Sequence, residues 1–395
     1  MATKTNHGRA SLSTLFCALV LVFTSACTST TEQISDLPDT PFKLATFELT
    51  DMGATAVGMV LGEQILELTS AGKYLVAEAG LEAMVLPNEM RALIENYETT
   101  SARLYQIANF FQEGADATLP FVHAVGAVRI TAPIKYPWNV LSVAANYRAH
   151  AEGMAAAPSG ENPDDVDGVS GASDEAGSGG SGGGFDPSRI AEIDPARDAP
   201  IMFAKSPRSG IIDPGEPYFI PPGRDQIDWE GEMAVIIGKP AYLVSAEEAD
   251  DYVFGYSIMY DVSDRGGRSR GAGAMFPGVN WFDGKSTNRG APFGPFIVPK
   301  EFIPDPANLR VTTKVNGELM QDQTTADLIW PQEHLIRFTT SILTLYPGDV
   351  IATGTPSGTG AERGEFLKAG DVVEIEIEGI GILKTPIEAY PGGET

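Results

Sequence analysis

Glycine and proline fall between nearly all the apolar runs of this chain, 43 and 28 of them in 395 residues, and that punctuation argues against an architecture of long helices. Many of the short runs between them alternate apolar with polar or small side chains, the period of a strand buried on one face. FKLATFELTD (Phe42–Asp51) and ATAVGMVLGEQILEL (Ala54–Leu68) read this way early in the chain. GEMAVIIG (Gly231–Gly238), YVFGYSIMYDVSD (Tyr252–Asp264), LRVTTKVNG (Leu309–Gly317) and DVVEIEIEGIGIL (Asp371–Leu383) do so later. Helical patterning is confined to a few stretches, chiefly around Leu81 to Phe111, and there is no internal repeat or sustained heptad. The expected fold class is α+β, mainly β, with residues 42–130 as a small N-terminal α+β domain and residues 131–395 as a larger catalytic domain. A hydrophobic content of 43% is ample for such a core.

One stretch breaks the pattern. From Ala155 to Pro187 the chain is rich in Gly, Ser and Asp and has no periodicity, so residues 155–198 read as a flexible insertion. It serves either as a tolerated surface loop, since long loops cost little extra closure entropy, or as an acidic lid or docking segment.

The formal net charge of −26 argues against a surface for nucleic acid or anionic lipid, which needs Lys and Arg facing phosphate. At the N-terminus, Lys4 and Arg9 precede the apolar run LSTLFCALVLVF (Leu12–Phe23) and the small residues TSAC (Thr24–Cys27), the layout of a bacterial export signal. Residues 1–26 are the expected signal and residues 27–41 a polar tether, which places the mature chain in the periplasm or envelope. TSAC also resembles a lipoprotein cleavage site, with Cys27 as the lipidated membrane anchor, although Thr24 stands where that pattern usually has Leu. The two cysteines are Cys17 and Cys27, so the mature domain offers no disulfide, thiolate zinc site or cysteine nucleophile.

Two glutamates, Glu230 and Glu232, stand two apart at the head of a β-branched apolar run, so alternation points both to one side. Like charges so placed repel unless water screens them or a cation lies between them. A solvated strand start satisfies the first condition and a metal site the second. Asp261 ends the apolar strand FGYSIMY, a costly position for an unpaired carboxylate. Three carboxylates without His or Cys favour a hard cation, Mg²⁺ or Mn²⁺ before Zn²⁺, with Ca²⁺ a further candidate.

Several segments together resemble the fumarylacetoacetate hydrolase family: NYRAH (Asn146–His150), DWEGEMAVIIGK (Asp228–Lys239), FGYSIMYDVSDR (Phe254–Arg265), DGKSTNRGAPFGP (Asp283–Pro295), VNGELMQ (Val315–Gln321), LYPGDVIATGTPSGTG (Leu345–Gly360) and LKAGDVVEIEIEGIG (Leu367–Gly381). The resemblance runs from about Phe42 to Ile387 and implies a mixed β-sheet and roll catalytic fold, usually a homodimer. It implies that Glu230, Glu232 and Asp261 ligate the metal, that Arg265 and Lys285 contact oxygens of a small 2-oxo or dioxo carboxylic acid, and that Thr355 sits at a substrate carboxylate or carbonyl. Lys285 would stabilise a developing oxyanion.

His150 closes NYRAH, whereas His7 lies in the signal and His123 and His334 have ordinary neighbours. In hydrolytic members this histidine pairs with a glutamate three residues on, on the same helical face, to deprotonate water. Here Gly153 holds that position, and Glu152 would point away from His150. The expected activity is divalent-metal-dependent hydrolysis of a carbon–carbon bond in an acylpyruvate or related 2,4-dioxo acid. The altered motif also favours decarboxylation or tautomerisation of a 2-oxo acid such as oxaloacetate, which needs no water-activating pair. A non-catalytic envelope protein binding metal and carboxylates is the alternative of another class.

Overall fold

All seven residues of the strand Gly231–Ile237 are buried, so both of its faces are covered. Its side chains divide by parity between two cores. Met233, Val235 and Ile237 join one cluster with Ile258, Val311, Ile375 and Leu383, while Ala234 and Ile236 join another with Leu75, Leu93, Leu104 and Phe293. That double burial is why the run reads as continuously apolar after its opening glutamate.

The structure is a computed structural model and describes residues 34–49, 53–156, 193–195, 197–266 and 281–392. The expected export signal, with Cys27, and nearly all of the glycine-rich insertion lie outside these residues. Among the described residues no helix is long and apolar enough to cross a membrane. Residues 34–41, read from sequence as the end of the tether, lie against the folded body. Ile34 packs on the second core, and Asn109 Nδ2 donates to the carbonyls of Ser35 and Leu37, both at 2.9 Å.

Ile34–Thr395 forms one compact unit. Its first part is a five-stranded sheet ordered Val122–Ala124, Gln64–Glu67, Thr55–Leu61, Lys43–Glu48, Ile130–Thr131. The helices Leu68–Glu78, Met90–Glu95 and Tyr97–Phe110 accompany it. The first of these begins earlier than the helical pattern expected near Leu81, because Leu68, Ala71, Gly72 and Leu75 recur at helical spacing and are buried together.

A six-stranded sheet follows the order Val298–Pro299, Val253–Tyr260, Gly231–Ile237, Val350–Ala352, Val140–Val143, Met202–Ala204. Only the contact between Val350–Ala352 and Val140–Val143 is parallel within it. Val140–Val143 and Met202–Ala204, which flank the insertion, are antiparallel neighbours in this sheet. A second five-stranded sheet runs Glu318–Thr324, Arg310–Val315, Val372–Ile377, Gly381–Ala389, Tyr218–Ile220. It supplies Val311, Val373, Ile375, Ile377 and Leu383 to the first core, opposite Met233 and Val235. The mainly β expectation is met, with the N-terminal helices sharing a core with one face of the central sheet.

Because Ile236 is fully buried between the central sheet and the N-terminal helices, Ile236→Ala should cost about 2–5 kcal/mol of stability by urea denaturation. A loss well under 1 kcal/mol would show that the layers do not pack on this strand.

Candidate active site

Pairing of Gly231–Ile237 with Val253–Tyr260 sets Glu232 opposite Met259 and brings the two strand ends carrying Glu230 and Asp261 together, with the Asp261 N–H donating to the Glu230 carbonyl at 3.0 Å. Glu230, Glu232 and Asp261 are all buried, each offering a carboxylate oxygen within 4.8 Å of the others. The solvated strand start is therefore excluded by burial. The family motifs point to these three acids, and the fold puts them in one place.

Three buried cationic side chains surround the acids. Lys285, at the end of the short helix Trp281–Lys285, donates to Glu230 Oε2 at 2.7 Å, Asp261 Oδ2 at 3.0 Å and Ser263 Oγ at 2.6 Å. Arg265 reaches back to Glu230 Oε1 and to Asp228 Oδ2, the latter from Nε at 3.1 Å. Lys205, just past the strand Met202–Ala204, donates to Asp261 Oδ1 and to the Val262 carbonyl at 3.1 Å. Neither Lys205 nor Asp228 emerged as a site residue from the sequence. A lysine following an apolar strand, and an aspartate two before the first glutamate, were the available signals.

The protonation behaviour follows from burial and partners. Burial disfavours the charged form of Asp261, but Lys205 and Lys285 outweigh it and hold the carboxyl below its ordinary range. Burial also lowers Lys285, yet Asp261 and Glu230 more than reverse this and keep it an ammonium. Lys205 is lowered by its complete burial, partly offset by Asp261. Glu232 differs from the other two acids. Among the described residues no ion pair reaches it, and the Gly354 N–H donates to its Oε2 at 2.9 Å. Burial, then Asp261 and Glu230, push its carboxyl well above the ordinary value, which is the behaviour of a site short of one positive charge. An all-oxygen donor set with this deficit fits a hard divalent cation, which Glu230, Glu232 and Asp261 would hold.

The Gly354-Thr355-Pro356 turn closes the site from the end of the strand Val350–Ala352. Gly354 has φ +94° and its missing Cβ would stand 2.7 Å from Asn146 Cβ, so turn and NYRAH segment meet only because this residue is glycine. Asn146 fastens them, its Nδ2 donating to the carbonyls of Thr353 at 2.8 Å and Trp330 at 2.9 Å. Thr355 Oγ1 donates to the Gly231 carbonyl at 3.1 Å and accepts from Gln321 Nε2 at 2.9 Å, which puts the threonine against the backbone between the two glutamates. Tyr147 is fully buried, and the Glu232 charge adds to burial in raising its phenol.

His150 follows one helical turn later, in the helix Arg148–Ala156. Its partner comes from far along the chain: Nδ1 lies in hydrogen-bond contact with Glu362 Oε1, 212 residues on. Glu362 belongs to the helical turn Gly360–Arg363, whose first N–H groups are anchored by Asp228, at 2.5 Å from Gly360 and 3.1 Å from Ala361. No local spacing in the sequence marks Glu362 as a partner for His150.

Residues 139–388 match the model of the fumarylacetoacetate (FAA) hydrolase C-terminal family. The chain belongs to the fumarylacetoacetate hydrolase family. It is 31% identical over 354 residues to the oxaloacetate tautomerase YisK of Bacillus subtilis strain 168, covering 87% of this chain and 99% of that one. A mitochondrial oxaloacetate tautomerase, fahd2 of Xenopus laevis, is 40% identical over 195 residues, where the match spans 49% of this chain and 59% of the frog protein. Among solved structures, the maleylpyruvate hydrolase from Sphingobium sp. SYK-6 in complex with manganese(II) ion and pyruvate is 25% identical with a TM-score of 0.58, covering 88% of this chain and 99% of that one. The family's members thus include both hydrolases and tautomerases.

Asp228 accepts from Arg265 on one side and from two backbone N–H groups on the other, and removing it takes away the acceptor that the buried Gly360 and Ala361 N–H groups share with Arg265. Asp228→Ala should therefore cost about 3–5 kcal/mol by chemical denaturation. A cost below about 1 kcal/mol would refute its placement as the hub between the metal acids and the Gly360–Arg363 turn.

Proposed function

We propose that this chain is a divalent-metal-dependent enzyme that interconverts the keto and enol forms of a small 2-oxo dicarboxylic acid of the oxaloacetate type. The observation that carries this reading is the buried Glu230, Glu232 and Asp261 triad, short of one positive charge, with Lys205, Arg265 and Lys285 against it. The likeness to an oxaloacetate tautomerase over nearly the whole of both chains supports the choice of reaction. A bound divalent cation supplies a Lewis acid that polarises the 2-oxo group and lowers the cost of removing a proton from the adjacent carbon.

The chain's own residues supply the rest. Lys285 is held charged, with hydrogen bonds to two carboxylates and a hydroxyl, so its part is electrostatic support of a developing enolate and not proton transfer. Arg265 fixes Glu230 and Asp228, keeping the acids in register under their mutual repulsion. Thr355 and the Gly354 turn give the site a rigid wall next to Glu232. His150, with Nδ1 against Glu362, is the imidazole this region offers for general acid–base work.

Hydrolysis of an acylpyruvate is the second reading, favoured by the His150–Glu362 contact, because an imidazole backed by a carboxylate can deprotonate water. With Mn²⁺, ultraviolet absorbance should report rapid keto–enol interconversion of oxaloacetate, lost with chelator and in Glu232→Gln. Pyruvate plus a second acid from acetylpyruvate, followed by proton NMR, would assign hydrolysis, and carbon dioxide from oxaloacetate would assign decarboxylation. Undiminished activity in chelator removes the metal from the reading. Calorimetric binding of pyruvate without turnover of any of these compounds identifies a binding protein instead.

Loss of Mn²⁺ affinity in Glu232→Gln should exceed the roughly 10–100-fold that changes outside the ligand set cost. Titration calorimetry reads this directly, and unchanged affinity would exclude Glu232 from the metal site.

A further inference from the structure

The N-terminal sheet has two faces of unequal cover. Leu44, Met59 and Leu66 enter the core shared with the helices, whereas Ala45, Phe47, Val60 and Ile65 form a small separate cluster with Phe296 packed against it. Lys43, first in the strand Lys43–Glu48, alternates onto the same side as Ala45 and Phe47. Between this side and the segment Phe296–Phe302 lies a cleft of about 630 Å³, a size that holds a small molecule. Val60, Phe296, Val298 and Phe302 make its walls largely apolar, and none of the acids or cations of the candidate active site lines it. Lys43 is its cation. Nζ donates to the Ile380 carbonyl at 2.9 Å and stands 5.6 Å from the centroid of the Phe296 ring. Burial lowers the Lys43 pKa and, among the described residues, no acid offsets the shift as Asp261 and Glu230 do at Lys285. An ammonium half out of water, with a carbonyl and a ring for company, is short of an anion. The lining holds one carboxylate, Glu63, exposed on the turn after the strand Thr55–Leu61.

We propose that this cleft is a second ligand site, apart from the acid cluster, for a small monocarboxylic acid with an apolar body. The carboxylate takes Lys43 as its counter-ion, and the hydrocarbon part lies against Val60, Phe296 and Phe302. The charges of the lining set the selectivity. One ammonium matches one carboxylate, and Glu63 on the same lining repels a second negative charge, so the dicarboxylic acids proposed for the metal site are disfavoured here. A phosphate, with close to two charges at neutral pH, meets the same repulsion. Lys43 repels an amine, and an uncharged ligand leaves the ammonium without its anion. The site is independent of the proposed reaction, since it uses no residue of the acid cluster.

The test uses the full chain, with chelator present to keep the acid cluster free of metal, and phenylacetate as the probe. By titration calorimetry its affinity should fall about tenfold or more in Lys43→Met and stay within about twofold of wild type in Glu232→Gln. Phenethylamine and benzyl alcohol, of similar size, should bind about tenfold more weakly than phenylacetate or worse. Phenylsuccinate should also bind more weakly, and Glu63→Gln should narrow the gap. A second measurement needs no variant: reductive methylation of the wild type, read by mass spectrometry. Phenylacetate should slow methylation of Lys43 about fivefold at about four times its Kd, leaving the exposed Lys368 unchanged. This reading decides the matter if Lys43→Met fails to fold. No binding at about 10 mM, equal affinity for phenethylamine, undiminished affinity in a folded Lys43→Met, or methylation of Lys43 at one rate with and without the probe overturns the site. Binding lost in Glu232→Gln and kept in Lys43→Met places the probe at the acid cluster, which overturns it as well.

Discussion

Four buried carboxylates, Asp228, Glu230, Glu232 and Asp261, lie against three buried cations, Lys205, Arg265 and Lys285, and this imbalance sets the terms for everything built around it. Burying one unpaired carboxylate is costly, and burying neighbouring ones compounds the cost unless positive charge is brought in with them. The chain draws that charge from three separate places: the strand end before Lys205, the residue four after Asp261, and the short helix ending at Lys285. The fold can be understood as the scaffold that makes these segments converge.

Convergence explains the central sheet. The strand carrying the two glutamates is covered on both faces, so the acids sit at the end of a rigid element with little freedom to separate. Repulsion that would splay them in solution is resisted by packing as well as by the lysines and Arg265. The parallel contact between Val140–Val143 and Val350–Ala352 then brings the NYRAH segment and the Gly354 turn to the same end of the sheet. Asp228 extends the arrangement by holding both Arg265 and the turn that bears Glu362, so the acid cluster and the histidine share one mechanical support.

Much of this was legible in the sequence because it is local. Alternation and Gly/Pro spacing gave the mainly β class, and the family motifs marked Glu230, Glu232, Asp261, Arg265, Lys285, Thr355 and His150 for one site. The structure gathers the three acids within 4.8 Å of one another, with Arg265 on Glu230, Lys285 on Glu230 and Asp261, and Thr355 on the adjoining backbone. Arg265 and Lys285, expected against substrate oxygens, are engaged with the acids themselves, a pairing that strand alternation alone does not predict. Lys205 and Glu362 were missed because their meaning lies in partners 56 and 212 residues away. The helix starting at Leu68 was missed for another reason: its apolar spacing follows a strand without an intervening glycine or proline.

The absent Cβ of Gly153 also ties two distant segments together. A side chain at 153 would enter the space that the Glu362 carboxylate fills, 2.8 Å from its Oε2. The helix that carries His150 and the turn Gly360–Arg363 therefore cannot be varied independently at this point, although 209 positions separate residues 153 and 362 in the chain.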